Sequence, residues 1–353
     1  EKCLPSTGVL PRPIHAELLG KPVDWVVADC SKMEWMDGFQ GLQAVAVLPL
    51  EGKAQKALCV DIVAPDEASL RSAIELVSKG SLSSFKTYEE RRVSCPDTLL
   101  KEDVHSRDEF MLTPLHCAAA AKGAQAVASL LERGADANAA DMFDHTPLHA
   151  AASAWDSRSV KLLLEHGASP HARDHTGDQP LSNAAYCGDV ESARLLLAHG
   201  AYVNAIDWYG NTALHFAAQE GQTDMVKFLI GQGADVSLRN DERWTPLHSA
   251  VDCGDEDAAR LLLEHGADAN AKAVDMEDPE GGFTTPLCLA IDNADVGMVR
   301  LLLRYGADPK APAKTGQPLT QYIKTMLEEL AEDGDAEMEE GLRGILKLLK
   351  KGK

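Results

Sequence analysis

The chain has 353 residues, with 34 Lys+Arg against 55 Asp+Glu and a net charge of −21. A field this acidic repels phosphates and anionic headgroups, so nucleic acid is excluded as an expected ligand and a protein with a basic surface is favoured. No apolar run approaches the ~18 residues of a membrane span, so no direct membrane insertion is expected. The eight cysteines include no CxxC pair, which argues against a disulfide framework or a clustered zinc site.

Residues 1–80 read as a small α/β module. Val23–Ala28, Leu42–Leu50 and Leu58–Ala64 are apolar runs with the composition of strands. Asp66–Ser78 reads as a helix. Pro65 and Asp66 open it, Leu70, Ile74 and Val77 form one stripe, and Gly80 closes it. Residues 81–107 read as a linker or lid with one short helix near Tyr88–Arg92. The module contains no glycine-rich phosphate loop, HExxH or GxSxG. Asp24, Asp29 and Asp61 lie near the predicted strand ends, where acid–base or metal carboxylates often sit and where solvated carboxylates sit equally well.

From Asp108 onward one phrase returns. Thr113-Pro-Leu-His116 is followed by Thr146-Pro-Leu-His149, Gln179-Pro-Leu-Ser182, Thr212-Ala-Leu-His215, Thr245-Pro-Leu-His248, Thr285-Pro-Leu-Cys288 and Gln317-Pro-Leu-Thr320. The first five starts (113, 146, 179, 212, 245) are 33 residues apart. A second phrase, typified by Leu164-Glu-His-Gly167, keeps the same beat. Thr caps a helix and Pro fills its first turn. Alanines such as Ala150–Ala152 let a second helix approach closely. That helix carries a stripe such as Val160, Leu163 and Leu164, and Gly ends it in a left-handed cap. One such unit cannot bury its apolar face alone, whereas stacked units share a core.

These phrases resemble the ankyrin repeat, over residues 108–353. The fold class expected is mainly α: an ankyrin-repeat solenoid of about seven helix-pair repeats with hairpin fingers, preceded by the small α/β module. The resemblance implies that His116, His149, His215 and His248 are struts between adjacent units. His166, His199 and His265 sit at the end of the second helix, where positive charge suits the dipole. His171 and His175 lie in one finger, and none of the twelve histidines is expected to hold a metal. Cys117 and Cys288 are expected to be buried, and Cys187 and Cys253, two units apart, to be too distant for a disulfide. No cofactor is expected.

Four departures stand out. Gln179 and Ser182 replace Thr and His in the third repeat, which weakens its internal hydrogen bonds. Residues 274–282 enlarge one finger. The last unit, 317–353, is an extended cap with its first helix at Gln321–Leu330 and its second at Leu342–Leu349. Asn138, Asn204 and Asn270 hold a finger-base position where the family commonly carries Asn. The resemblance implies that this Asn tightens the turn through its own backbone bonds and is open to hydroxylation by an oxygen-dependent enzyme.

Ankyrin-type arrays bind proteins through finger tips and a concave face lined by the first helices. Carried over, the tips are Glu109 and Phe110, Met142 and Phe143, His175 and Thr176, Trp208 and Tyr209, Asp241 and Glu242. The concave positions include Tyr186, Phe216, Asp252 and Asp292. Large apolar side chains at turn tips bury nothing within their own repeat, and aromatics are favoured anchors. The expected footprint is aromatic over repeats one to four and acidic over five and six.

The function expected is a non-catalytic interaction scaffold, or an accessory subunit of a larger and possibly organellar assembly. The alternative is an enzyme or small-ligand-binding module in residues 1–107, with the array recruiting its substrate. Scattered thiols suit a reducing intracellular compartment, cytoplasmic or nuclear. An organelle interior, after removal of a targeting peptide, is the alternative location.

Overall fold

The computed structural model describes the strand backbones at 12–18, 21–29, 42–49 and 57–64, and residues 103–108, 110–274, 283–333 and 336–351. The chain divides into two compact units, Glu1–Glu90 and Arg91–Lys353.

The first unit contains a four-stranded antiparallel sheet in the order β1-β2-β3-β4, with β1 at Arg12–Leu18, β2 at Lys21–Asp29, β3 at Leu42–Pro49 and β4 at Ala57–Ala64. The three expected strands are β2, β3 and β4. The additional strand, β1, carries Pro13 opposite Val26. Proline lacks a ladder donor and is tolerated on an edge strand, which is where β1 lies. Asp24 pairs with His15 and Asp61 with Val45, so both sit within strands instead of at their ends. Asp29 does end β2. The helices expected at Asp66–Ser78 and near Tyr88–Arg92 lie outside the described residues.

The second unit contains seven helix pairs among its described residues. They are α1 Pro114–Ala120 and α2 Ala124–Glu132, α3 Pro147–Ser153 and α4 Ser157–Glu165, α5 Pro180–Cys187 and α6 Val190–Ala198, α7 Ala213–Gln219 and α8 Thr223–Gly231. Then come α9 Pro246–Asp252 and α10 Glu256–Glu264, α11 Pro286–Asp292 and α12 Val296–Arg304, and α13 Leu319–Asp333 and α14 Ala336–Lys351. From α1 to α11 each first helix packs on the next first helix, and from α2 to α14 each second helix packs on the next second helix. One cluster of Leu, Val and Ala side chains runs through all seven pairs and includes Val104 at its start. Ala150, Ala151 and Ala152 are buried, as are Val160, Leu163 and Leu164. The glycine after each second helix from α2 to α12 has positive φ, between 85° at Gly167 and 94° at Gly200.

The cap helices α13 and α14 are longer than expected. Leu342, Ile345 and Leu349 of α14 are buried, and Leu346 is partly buried. The enlarged finger rests on a two-stranded base, β5 Ala273–Val274 against β6 Phe283–Thr284. The inserted residues between them lie outside the described residues.

Candidate protein-interaction surface

Four fingers are each shaped by one acidic residue, and the fifth by Asn240, whose Oδ1 accepts from Trp244 N–H. Asp108 Oδ1 accepts from the backbone N–H groups of Phe110 and Leu112, Asp141 Oδ1 from Phe143 and His145, and Asp207 Oδ1 from Tyr209 and Asn211. A short carboxylate bonding backbone two and four residues on makes the tight turn without a helix or sheet. The fingers are also joined to one another. Met142 N–H donates to Phe110 O, His175 N–H to Phe143 O, Trp208 N–H to Thr176 O and Asp241 N–H to Tyr209 O, at 2.9–3.0 Å. The residues expected at the tips are thus the ones whose backbones link neighbouring fingers.

Behind the fingers, histidines brace the helix layer. The Thr146 amide and hydroxyl both donate to His149 Nδ1, at 3.1 and 3.0 Å, which leaves Nε2–H to donate to Asp178 O at 3.1 Å. His116 reaches His145 O and His215 reaches Trp244 O in the same way. These are the expected struts. His248 keeps its bonds to Thr245, but its Nε2 makes no hydrogen bond. The strut acceptor lies 29 residues on in the other three repeats, and the same step from His248 falls within the insertion at 274–282. The third repeat has no capping box, and Gln179 Oε1 is buried without a partner. His166, His199 and His265 donate from Nδ1 to the carbonyls of Leu162, Leu195 and Leu261, closing the last helical turn. Cys117 and Cys288 are buried, and Cys187 and Cys253 are not joined by a disulfide.

The expected contact residues other than Asp241, Glu242 and Asp252 divide into three groups. Trp208, Tyr209, Tyr186 and Met142 are exposed, by 59%, 46%, 50% and 37%. Phe110, Phe143 and Phe216 are half-buried. Phe143 lies against the rings of His175 and His145, with centroids 5.3 and 6.4 Å away. Asp292 belongs to the fold: Tyr322 Oη donates to its Oδ1 at 2.7 Å and Lys314 Nζ stands 3.5 Å from its Oδ2. Both carboxylate oxygens are therefore committed within the array, and we do not count Asp292 among the contact residues.

Trp208 is exposed yet positioned. The Arg173 guanidinium lies 4.7 Å from its ring centroid, and Arg173 Nη1 also donates to Gly177 O and Ile206 O. Gly177 has φ +82°, and a Cβ there would lie 2.6 Å from the indole. Gly177→Ala is expected to cost about 1–2 kcal/mol from backbone strain and displacement of the ring. Thermal denaturation checks this, as a Tm lowered by a few degrees.

The acidic half of the footprint forms a cavity of about 360 Å³ lined by residues that include Tyr209, Gln219, Asp241, Glu242, Trp244 and Asp252. Burial pushes the Glu242 carboxyl above its ordinary pKa, and the neighbouring Asp241 charge adds to the rise. Trp244 Nε1 is buried without a hydrogen-bond partner. Such a cavity favours a cation with apolar flanks, the chemistry of a Lys or Arg side chain.

Two exposed side chains near the patch escaped the sequence reading. Tyr202 is 67% exposed and stacks on His171 at 4.6 Å, and Ile206 is 48% exposed. A signal was present for Tyr202. It follows the Gly-Ala pair at a position held by Asp136, Ser169, Asp235, Asp268 and Asp308 in the other repeats. Trp155, 55% exposed at the turn between α3 and α4, was also missed.

The finger-base asparagines do more than expected. Asn138 Nδ2 donates to Gly167 O and its Oδ1 accepts from Ser169 N–H, at 2.9 and 2.7 Å. Asn270 bonds Gly306 O and Asp308 N–H in the same manner, and Asn204 accepts from Asp235 N–H. Their side chains tie one finger to the next repeat, while the backbone N–H groups of Asn138 and Asn270 donate to Asp136 and Asp268 Oδ1 within their own turns.

A family model described as ankyrin repeats matches at residues 89–174, 156–240, 184–273 and 234–313, more than half of the chain. The chain belongs to the ankyrin-repeat family, whose arrays are protein–protein interaction modules. No curated protein matches it. Among the described residues, no helix is long and apolar enough to cross a membrane.

Proposed function

We propose that this chain is a non-catalytic scaffold or accessory subunit that holds a basic segment of a protein partner across its second to fifth fingers. The observation that carries the reading is the adjacency of exposed Trp208 and Tyr209 to the acidic cavity. Tyr209 belongs to both. Aromatic anchors next to a carboxylate cluster, in which Glu242 is partly buried, suit a chain that alternates apolar and Lys/Arg side chains. Tyr186 and Met142 extend the same surface. Asn138, Asn204 and Asn270 are exposed and remain candidates for hydroxylation, which would make the array a substrate without changing its role.

The test is capture of partners on the intact chain, compared with a variant carrying Phe143→Ala, Trp208→Ala and Tyr209→Ala. Loss of aromatic anchors is expected to weaken a specific complex by about 2–4 kcal/mol, roughly 30- to 1000-fold. Asp252→Asn should in turn flatten the salt dependence of the association. Unchanged capture by the triple variant would mean that partners bind elsewhere.

A further inference from the structure

We propose that His145, Asp174 and His175 form a binding site for a zinc-class divalent cation, joining the second finger to the third. One ligand atom from each of the three lies within 4.8 Å of the others. His145 Nε2 stands 3.0 Å from Asp174 Oδ2. Two ligands on one tetrahedral zinc, with bonds of about 2.0 Å, stand about 3.3 Å apart. This pair therefore already has nearly the separation that coordination requires.

The surroundings hold both groups in place. Asp174 is 5% exposed, and its Oδ1 accepts from Thr176 N–H, Thr176 O–H and Asp178 N–H. Its Oδ2 is left on the side of His145. Behind the His145 ring, Nδ1 lies 3.7 Å from Asp141 Oδ2, and Asp141 is itself fixed by two backbone N–H groups. A carboxylate behind the second ring nitrogen is the outer-shell arrangement that orients metal-binding imidazoles. His175 is exposed, with Nδ1 3.2 Å from Phe143 O. Its freedom at the surface supplies the remaining approach of about 1.5 Å.

Charge points the same way. A buried carboxylate needs a counter-charge. A neutral imidazole offers Asp174 one hydrogen bond, whereas a divalent ion supplies the charge as well. Two imidazole nitrogens and one carboxylate oxygen suit zinc, and three protein ligands leave a fourth position for water or for a side chain of a bound partner. The 29 residues between His145 and Asp174 hide the cluster in the sequence.

The experiment is calorimetric titration of the metal-depleted full chain with zinc chloride near neutral pH, alongside His175→Ala and His145→Gln. The cysteines are common to all three proteins, so the difference between titrations isolates this site. The expected result is loss of one zinc equivalent, or at least a tenfold weaker affinity for it, in both variants. Zinc should also raise the Tm of the wild-type chain by more than that of His175→Ala. His175 is exposed, so this variant decides the matter even if His145→Gln fails to fold. The same zinc stoichiometry and affinity in the wild type and His175→Ala would overturn the proposal and leave the cluster as an imidazole–carboxylate pair. The outcome is independent of which partner the array captures.

Discussion

Leu196→Ala is expected to lower the stability of the array by about 2–5 kcal/mol, the range for removing a fully buried leucine side chain and leaving a cavity. Leu196 lies in α6, near the middle of the stack, and is 0% exposed. Each repeat touches only its neighbours. A weak middle unit therefore uncouples the repeats on either side of it. Urea denaturation followed by circular dichroism checks this, with a lower midpoint and a transition that broadens or splits. The partly buried neighbour Leu195 is the control, and its alanine variant should lose less. Equal losses at both positions would show that the stripe assignment is wrong.

Acid is expected to destabilise the array strongly between about pH 6.5 and 4. Burial lowers the pKa of His149, His215 and His248 from 6.5 to about 4 in the folded chain. In that window the unfolded chain takes up protons that the folded chain refuses. Stability is then complete above 6.5 and falls as the pH drops toward 4, by up to ~1.4 kcal/mol per pH unit for each histidine. Asp178 works in the opposite direction. Burial, followed by the charges of Asp174 and Asp207, raises its pKa to about 6. Between pH 6 and 3.8 the folded state keeps a proton that the unfolded state releases. Three groups against one leave a net loss of roughly 4 kcal/mol from pH 7 to pH 5; His116 shifts in the direction of the three histidines, and Asp207 and Glu242 in that of Asp178. Asp174 is held at about 2 against its burial, chiefly by the His145 hydrogen bond and then those from Thr176. It adds a further loss only below pH 3.8. Urea midpoints measured from pH 7 to 4.5 test the sum, and a flat profile would be incompatible with buried neutral struts.

The sequence by itself determined the repeat, its period and its helix ends. Thr-Pro at a helix start and Gly at its end act through their own backbone geometry, within a few residues of chain. Stripes such as Val160, Leu163 and Leu164 are set by helical periodicity, so their burial was legible in the same local terms. The fingers were legible as turns, and their tips as places where Trp208 and Tyr209 bury nothing within the repeat.

Contacts between repeats were decided by the tertiary structure. Asn138 bonds the following repeat, Asp292 is taken by Tyr322 and Lys314, and Trp208 lies over Gly177 of the preceding finger. Each partner is 22 to 31 residues away in the chain, so neither spacing nor composition identifies it. The edge strand β1 was missed for a related reason. Its proline reads locally as a strand breaker, and only its place at the sheet edge makes it tolerable. His145, Asp174 and His175 likewise meet because stacking brings one finger against the next. Backbone geometry acts over a few residues, whereas side-chain chemistry acts over a few ångströms of space, and in a solenoid the second distance is set by the stacking of repeats.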